Sequence, residues 1–202
     1  MKNLWVFKIW VVALLYVTLS LPLSAQTEVM AWSNIMGVRV DGDLIDFESS
    51  LRVGNLKGDM EISEKEKQIR PRYHREGNMQ EVVTTLRGVR FQQKVTDREK
   101  GLVEISIDAL SDTTLNQAAY FCIALSLENY TDAKVRSDGR KLSITSGVRR
   151  LEFKFNRSVK VMVEEEKALT VFYIRLISFL KKLGLLHRSW SCMLPELLTT
   201  VM

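Results

Sequence analysis

The sequence predicts an all-β chain, an antiparallel two-sheet β-sandwich with an N-terminal signal peptide and a short C-terminal tail of helical spacing. Three observations predict it. From Met36 to about Ile174 apolar and polar residues alternate with a period of two, as in strands with one buried face. Gly, Asp, Asn and Ser interrupt this alternation at short intervals, where turns belong. No amphipathic helix of crossover length stands between the alternating runs, which sets aside α/β folds. A closed barrel is the alternative that fits the same pattern. With 202 residues, 46% of them hydrophobic, 3 Pro and 2 Cys, the composition excludes collagen-like, disordered and disulfide-dense classes.

The elements follow in order. Residues 1–25 have the parts of a secretory leader: Lys2 and Lys8 in a basic start, an apolar stretch from Ile9 to Leu23, and Ser24-Ala25 before a cut at Gln26. An uncleaved anchor is the competing reading, weakened by Lys8 and Pro22 within the run. Gln26 stands where a lipoprotein would need Cys. Export places Cys122 and Cys192 where they could pair, although Cys122 sits in an apolar run and reads better as a buried small hydrophobe.

Val38 and Val40 alternate with Gly37 and Arg39, and Asp41-Gly42 is a two-residue hairpin signal. A single return strand is expected with Ile45, Phe47, Ser49, Leu51 and Val53 on one face. Residues 61–77 are charged and read as a long excursion, partly paired at an edge. Val82 to Val95 reads as one long strand with a bulge at Arg87-Gly88. Val103, Ile105, Ile107 and Ala109 mark the next strand, and 118–127 is apolar on both faces, as suits a strand central to a sheet. Asp138-Gly139 and Ser146-Gly147 signal two more hairpins, and Leu169 to Ile174 a last strand. The divisions are thus 1–25 for the leader, 26–175 for the sandwich and 176–202 for a Leu-rich, basic tail. In that tail Leu176, Phe179, Leu180 and Leu183 have helical spacing. The abrupt change of texture suggests that it is not native to the domain.

Few residues suggest chemistry. Asp41, Asp43, Asp46 and Glu48 are the densest acidic cluster, but their spacing matches no Ca²⁺ loop and reads as turn and strand surface. His74 and His187 are the only histidines, so no metal site, catalytic triad or cofactor is assigned. The most unusual segment is Arg70-Pro71-Arg72-Tyr73-His74-Arg75-Glu76-Gly77. Its guanidinium groups give bidentate contacts and its ring a flat apolar face, the means by which a protein holds a sugar or an anion. Arg72, Tyr73, His74 and Arg75, with Trp32 as a stacking platform, are therefore the candidate carbohydrate contacts. The alternative is a solvated loop paired with the Glu-rich stretch before it. Nucleic acid is not an expected partner, given weak net basicity and the export signal. Membrane contact is expected only if the leader or the tail acts as an anchor.

Trp32 to Gly42 with the Phe47-Glu48 strand after it, Arg70 to Gly77, Ser111-Asp112-Thr113-Thr114 and Tyr120-Phe121-Cys122 together resemble the N-terminal β-sandwich region of large secreted glycoside-hydrolase-like proteins of Bacteroidetes-type bacteria. The resemblance covers about residues 30–172. It implies a sandwich that precedes a (β/α)-barrel, and the carboxylates of that chemistry would lie on the barrel. The barrel is missing from this chain, so no catalytic residue is carried over. The implied function is a truncated, non-catalytic accessory module, structural or carbohydrate-contacting, with a polysaccharide or a downstream catalytic domain as partner. An active glycoside hydrolase, or an envelope protein held by its basic tail, are the alternatives.

Overall fold

A computed structural model describes residues 26–40, 42–55, 58–63, 71–98, 101–110, 117–177 and 189–194, with backbone alone at 177 and 189–194. The described residues contain no α-helix. They form sixteen strands: β1 (Gln26–Val29), β2 (Ile35–Val40), β3 (Asp43–Ile45), β4 (Glu48–Gly54), β5 (Met60–Ile62), β6 (Arg72–Glu76), β7 (Met79–Leu86), β8 (Val89–Asp97), β9 (Val103–Ala109), β10 (Ala118–Ser126), β11 (Lys134–Ser137), β12 (Lys141–Ser146), β13 (Arg149–Phe155), β14 (Val161–Glu166), β15 (Leu169–Ile177) and β16 (Ser189–Leu194). They pair into a small sheet of order β1-β2-β3, a five-stranded sheet β14-β15-β10-β4-β5 and an eight-stranded sheet β11-β12-β13-β16-β9-β8-β7-β6. Every pairing is antiparallel.

One apolar cluster draws on all three sheets. Ile35 and Val38 come from the small sheet, Leu51, Phe121 and Phe172 from the five-stranded sheet, and Phe91, Ile105 and Phe153 from the eight-stranded one. The alternation that marked each strand is what aims these residues at a common centre. β10 follows the two-sided expectation. Phe121, Ile123 and Leu125 join the main cluster, while Tyr120, Cys122 and Ala124 join a second one with Val171 and Tyr173. Cys122 is a free thiol, and its burial pushes its pKa up to about 12, so it packs as a small hydrophobe.

Three local expectations change. Arg87-Gly88 is a hairpin turn, not a bulge: Leu86 pairs with Val89, and φ is 49° and 75° at the two central residues, as the twist of a tight hairpin demands. The expected single strand through Ile45, Phe47 and Leu51 is broken. β3 belongs to the small sheet and β4 to the five-stranded one, so the chain changes sheets at Asp46-Phe47. Arg149 and Asn129 hold the Asp46 side chain there, at 3.2 and 2.7 Å, and Tyr130 donates to its carbonyl at 2.6 Å. The tight turn between β12 and β13 is Gly147-Val148, one residue later than the sequence signal, with Ser146 paired to Arg149.

The helical expectation for the tail meets a strand where the tail is described. Leu176 belongs to β15, and β16 is hydrogen-bonded on both sides, to β9 and to β13. The remaining positions of the expected helix, the expected leader at 1–25, Asp41, Arg70, the turn expected at Ser111 to Thr114 and His187 lie outside the described residues.

Gly37 has φ +137°, and a Cβ built on it would stand 2.7 Å from the carbonyl oxygen of Ile45. Gly37→Ala is expected to cost about 1–3 kcal/mol of stability, seen as a lower midpoint in urea denaturation; an unchanged midpoint would show that the β2–β3 approach can relax.

Candidate functional site

Arg72–Glu76 of the candidate segment form β6, one of the two edge strands of the eight-stranded sheet, and all five of these residues are exposed. Its pairing with β7 sets Tyr73 opposite Val82, His74 opposite Glu81 and Arg75 opposite Gln80. Side chains alternate across a strand, so the four candidates divide. Tyr73 and Arg75 share the face that carries Gln80 and Val82, which turns toward the interior. Arg72 and His74 share the opposite face with Glu81, whose carboxylate is 3.6 Å from the Lys94 ammonium. The sequence segment offers one cluster; the strand makes two half-sites.

The interior-facing half is the ordered one. The Tyr73 hydroxyl donates to Gln80 Oε1 at 2.9 Å, and Gln80 Nε2 donates to the Thr27 carbonyl on β1 at 3.1 Å. The Thr27 amide donates to Asp97 Oδ1 at 3.1 Å, and its hydroxyl donates to the same oxygen. Asn78 closes the far side, donating to the Asp97 carbonyl at 2.6 Å and accepting from its amide at 2.9 Å. Tyr73 is 42% exposed while Gln80 is 3% exposed. The ring therefore meets solvent while a buried chain of hydrogen bonds fixes its hydroxyl. Burial raises the Asp97 pKa above its usual value, and the two Thr27 hydrogen bonds and the Arg75 charge act against the rise.

Trp32 lies in the turn between β1 and β2 and is half-buried. The next residue, Ser33, accepts a 2.7 Å hydrogen bond at its carbonyl from Gln93 Nε2. Gln93 pairs with Val82 and Val82 with Tyr73, so the Trp32 turn is pinned to the same cross-strand row as Tyr73. The acidic cluster is dispersed among its described members. Asp46 bonds Arg149 and Asn129, Glu48 accepts from Asn34 Nδ2 at 3.2 Å, and Asp43 sits at the start of β3. Among the described residues no group of three His, Cys, Asp or Glu is placed to hold a metal ion.

Sequence reasoning missed the residues that organise this region. Thr27, Gln80, Gln93 and Asp97 are polar groups at buried positions. Gln80, Gln93 and Asp97 share the inward phase of β7 and β8 with Val82, Leu86, Phe91 and Val95, and that phase was the available signal. It also missed Glu152 on β13, which is 8% exposed and has Lys141 at 2.7 Å, Arg150 at 3.0 Å and Lys154 at 3.7 Å. Burial alone would raise its pKa, but hydrogen bonds and charge from Lys141 and Arg150 outweigh burial and hold it below the usual value. No family model, curated protein or solved structure matches the chain.

Because the folded state favours protonated Asp97, this group withdraws stability as pH rises from the unfolded value near 3.8 through the raised folded value. Asp97→Asn keeps an acceptor for Thr27 and removes that dependence. Urea denaturation across a pH series is expected to show the variant gaining on the parent as pH rises through this window; parallel curves would contradict the raised value. Glu152 has the opposite sign. Its stabilising contribution is present above the unfolded value of 4.5 and is lost as pH falls through the depressed folded value, so Glu152→Gln is expected to flatten the acid limb of the same series.

Proposed function

We propose that the chain is an exported, non-catalytic accessory module with a two-sheet β-sandwich body, and that it contacts polysaccharide through the edge at β6 and the Trp32 turn. The observation that carries the reading is Tyr73. It is an aromatic ring at an exposed sheet edge whose hydroxyl is fixed from below by Gln80, with Arg75 on the same face and the Trp32 turn on the same row. A ring held this way loses little conformational freedom on binding, and preorganisation of that kind is a main source of affinity. Its apolar face suits the C–H face of a sugar ring, and Arg75 supplies donors for hydroxyl or carboxylate oxygens.

Export is the part of the proposal that rests on residues 1–25, with their basic start, apolar middle and small residues before Gln26. The association with a polysaccharide-degrading enzyme rests on the resemblance of about residues 30–172. In that setting the accessory role needs no acid pair of its own.

Affinity electrophoresis through gels containing plant or algal polysaccharides tests the binding role. The parent chain is expected to be retarded by at least one of them, and Tyr73→Ala to weaken binding about tenfold, roughly 1.4 kcal/mol. Absence of retardation on every polysaccharide would reject the contact role and leave the structural one.

A further inference from the structure

A second surface stands apart from the β6 edge, at the opposite end of the eight-stranded sheet. The register of β11, β12 and β13 puts Lys134 beside Thr145 and Arg136 beside Ser143. It also puts Ser143 beside Glu152, Thr145 beside Arg150 and Lys141 beside Lys154. Leu142, Ile144, Leu151 and Phe153 occupy the other face and are buried in the core. The outward face therefore consists of eight positions: five cations, two hydroxyls and one carboxylate. None is apolar. Lys134, Arg136, Arg150 and Lys154 are exposed, and Lys141 is partly so.

The single carboxylate, Glu152, lies at the middle of β13, and three of the cations converge on it. Holding long cationic side chains in one geometry normally costs conformational entropy at the moment of binding. Here the protein's own carboxylate holds them in advance and still leaves the face strongly positive. Among the described residues Lys134 and Arg136 have no ion-pair partner, so the positive field extends unneutralised to the edge strand.

From these observations we infer that the outward face of β11, β12 and β13 is a binding surface for a linear, carboxylate-bearing polysaccharide. This surface is separate from the β6 contact and uses different residues. Cations two residues apart along a strand stand about 6.6 Å apart, and neighbouring strands about 4.8 Å, so the charges form a flat grid suited to an extended polymer charged at each unit. The Ser143 and Thr145 hydroxyls between them match the hydroxyls of a sugar ring. Glu152 shows that these cations accept a carboxylate in this geometry. Single-stranded nucleic acid is disfavoured because no aromatic side chain occupies the face for bases to stack on. Duplex DNA admits a helix or a two-stranded ribbon into its major groove, not a broad three-stranded face. A lipid surface is disfavoured because the face has no apolar residue to insert.

The test uses the purified chain on immobilised polygalacturonate, read as apparent affinity at fixed ionic strength. Arg150→Gln/Lys154→Gln and Lys134→Gln/Arg136→Gln are each expected to weaken retention about fivefold or more. Lys94→Gln/Arg98→Gln, which removes equal charge from β8 and the residue after it, is expected to change it less than about twofold. Because Lys134 and Arg136 have no ion-pair partner among the described residues, their double variant strands no described acid. Thermal denaturation confirms that each variant is folded. The inference is overturned if the parent is not retained, if the β8 variant loses as much as the other two, or if Tyr73→Ala abolishes retention while the patch variants keep it. It is also overturned if duplex DNA or phosphatidylserine vesicles bind as tightly as polygalacturonate.

Discussion

The structure depends on β10 being buried on both sides. A strand with Phe121, Ile123 and Leu125 on one face and Tyr120, Cys122 and Ala124 on the other cannot lie at an edge or at the surface. It must have neighbours on both flanks and cover on both faces. Its flanking partners are β4, which ends more than sixty residues before it begins, and β15, more than forty residues after it ends. The five-stranded sheet is thus assembled from distant parts of the chain around one obligate centre, and closing such loops makes folding slow relative to a local fold.

Polar groups inside this framework are placed where a change of direction must be fixed. Ser49 accepts the Ile35 amide, and Ser63 bonds both Asn34 and the Leu51 amide, all near 2.9–3.0 Å. This ties the small sheet to β4. On the other face of the five-stranded sheet Arg52 reaches Glu166 at 3.0 Å and Tyr173 at 2.8 Å, and its guanidinium lies 5.2 Å from the Tyr173 ring centroid. Desolvation makes each of these groups costly if left alone. Together they make alternative registers expensive, so they specify position more than they add stability.

Much of this architecture was legible in the residues. Strict alternation gave β9, the two-faced apolar run gave β10, and the hairpin signal at Gly42 fell between β2 and β3, whose Val40 and Asp43 pair. What alternation could not distinguish was a strand that bends from a strand that turns back. Arg87-Gly88 keeps hydrophobic phase on either side whether it is a bulge or a hairpin, and only the Leu86–Val89 pairing decides. The same limit hid the change of sheets at Asp46-Phe47, where the inward pattern continues unbroken while the partners change. At the candidate site the sequence marked an unusual cluster, but the period of two that builds β6 parts Tyr73 and Arg75 from Arg72 and His74. The inward glutamines and Asp97 were visible as violations of the apolar phase, but Thr27 and Ser33, which they bond, lie more than fifty residues away in sequence.

The position of β16 has a consequence for the order of events. Without it the eight-stranded sheet would be two separate ribbons, β6 to β9 and β11 to β13, each presenting an open ladder of unpaired amides and carbonyls. Both ribbons are complete in the nascent chain before residues 189–194 are synthesised. During that interval β9 and β13 are sticky edges. A chain that emerges vectorially from the ribosome therefore passes through a stage in which this sheet is open in the middle, and β16 acts as a keystone that ends this exposure.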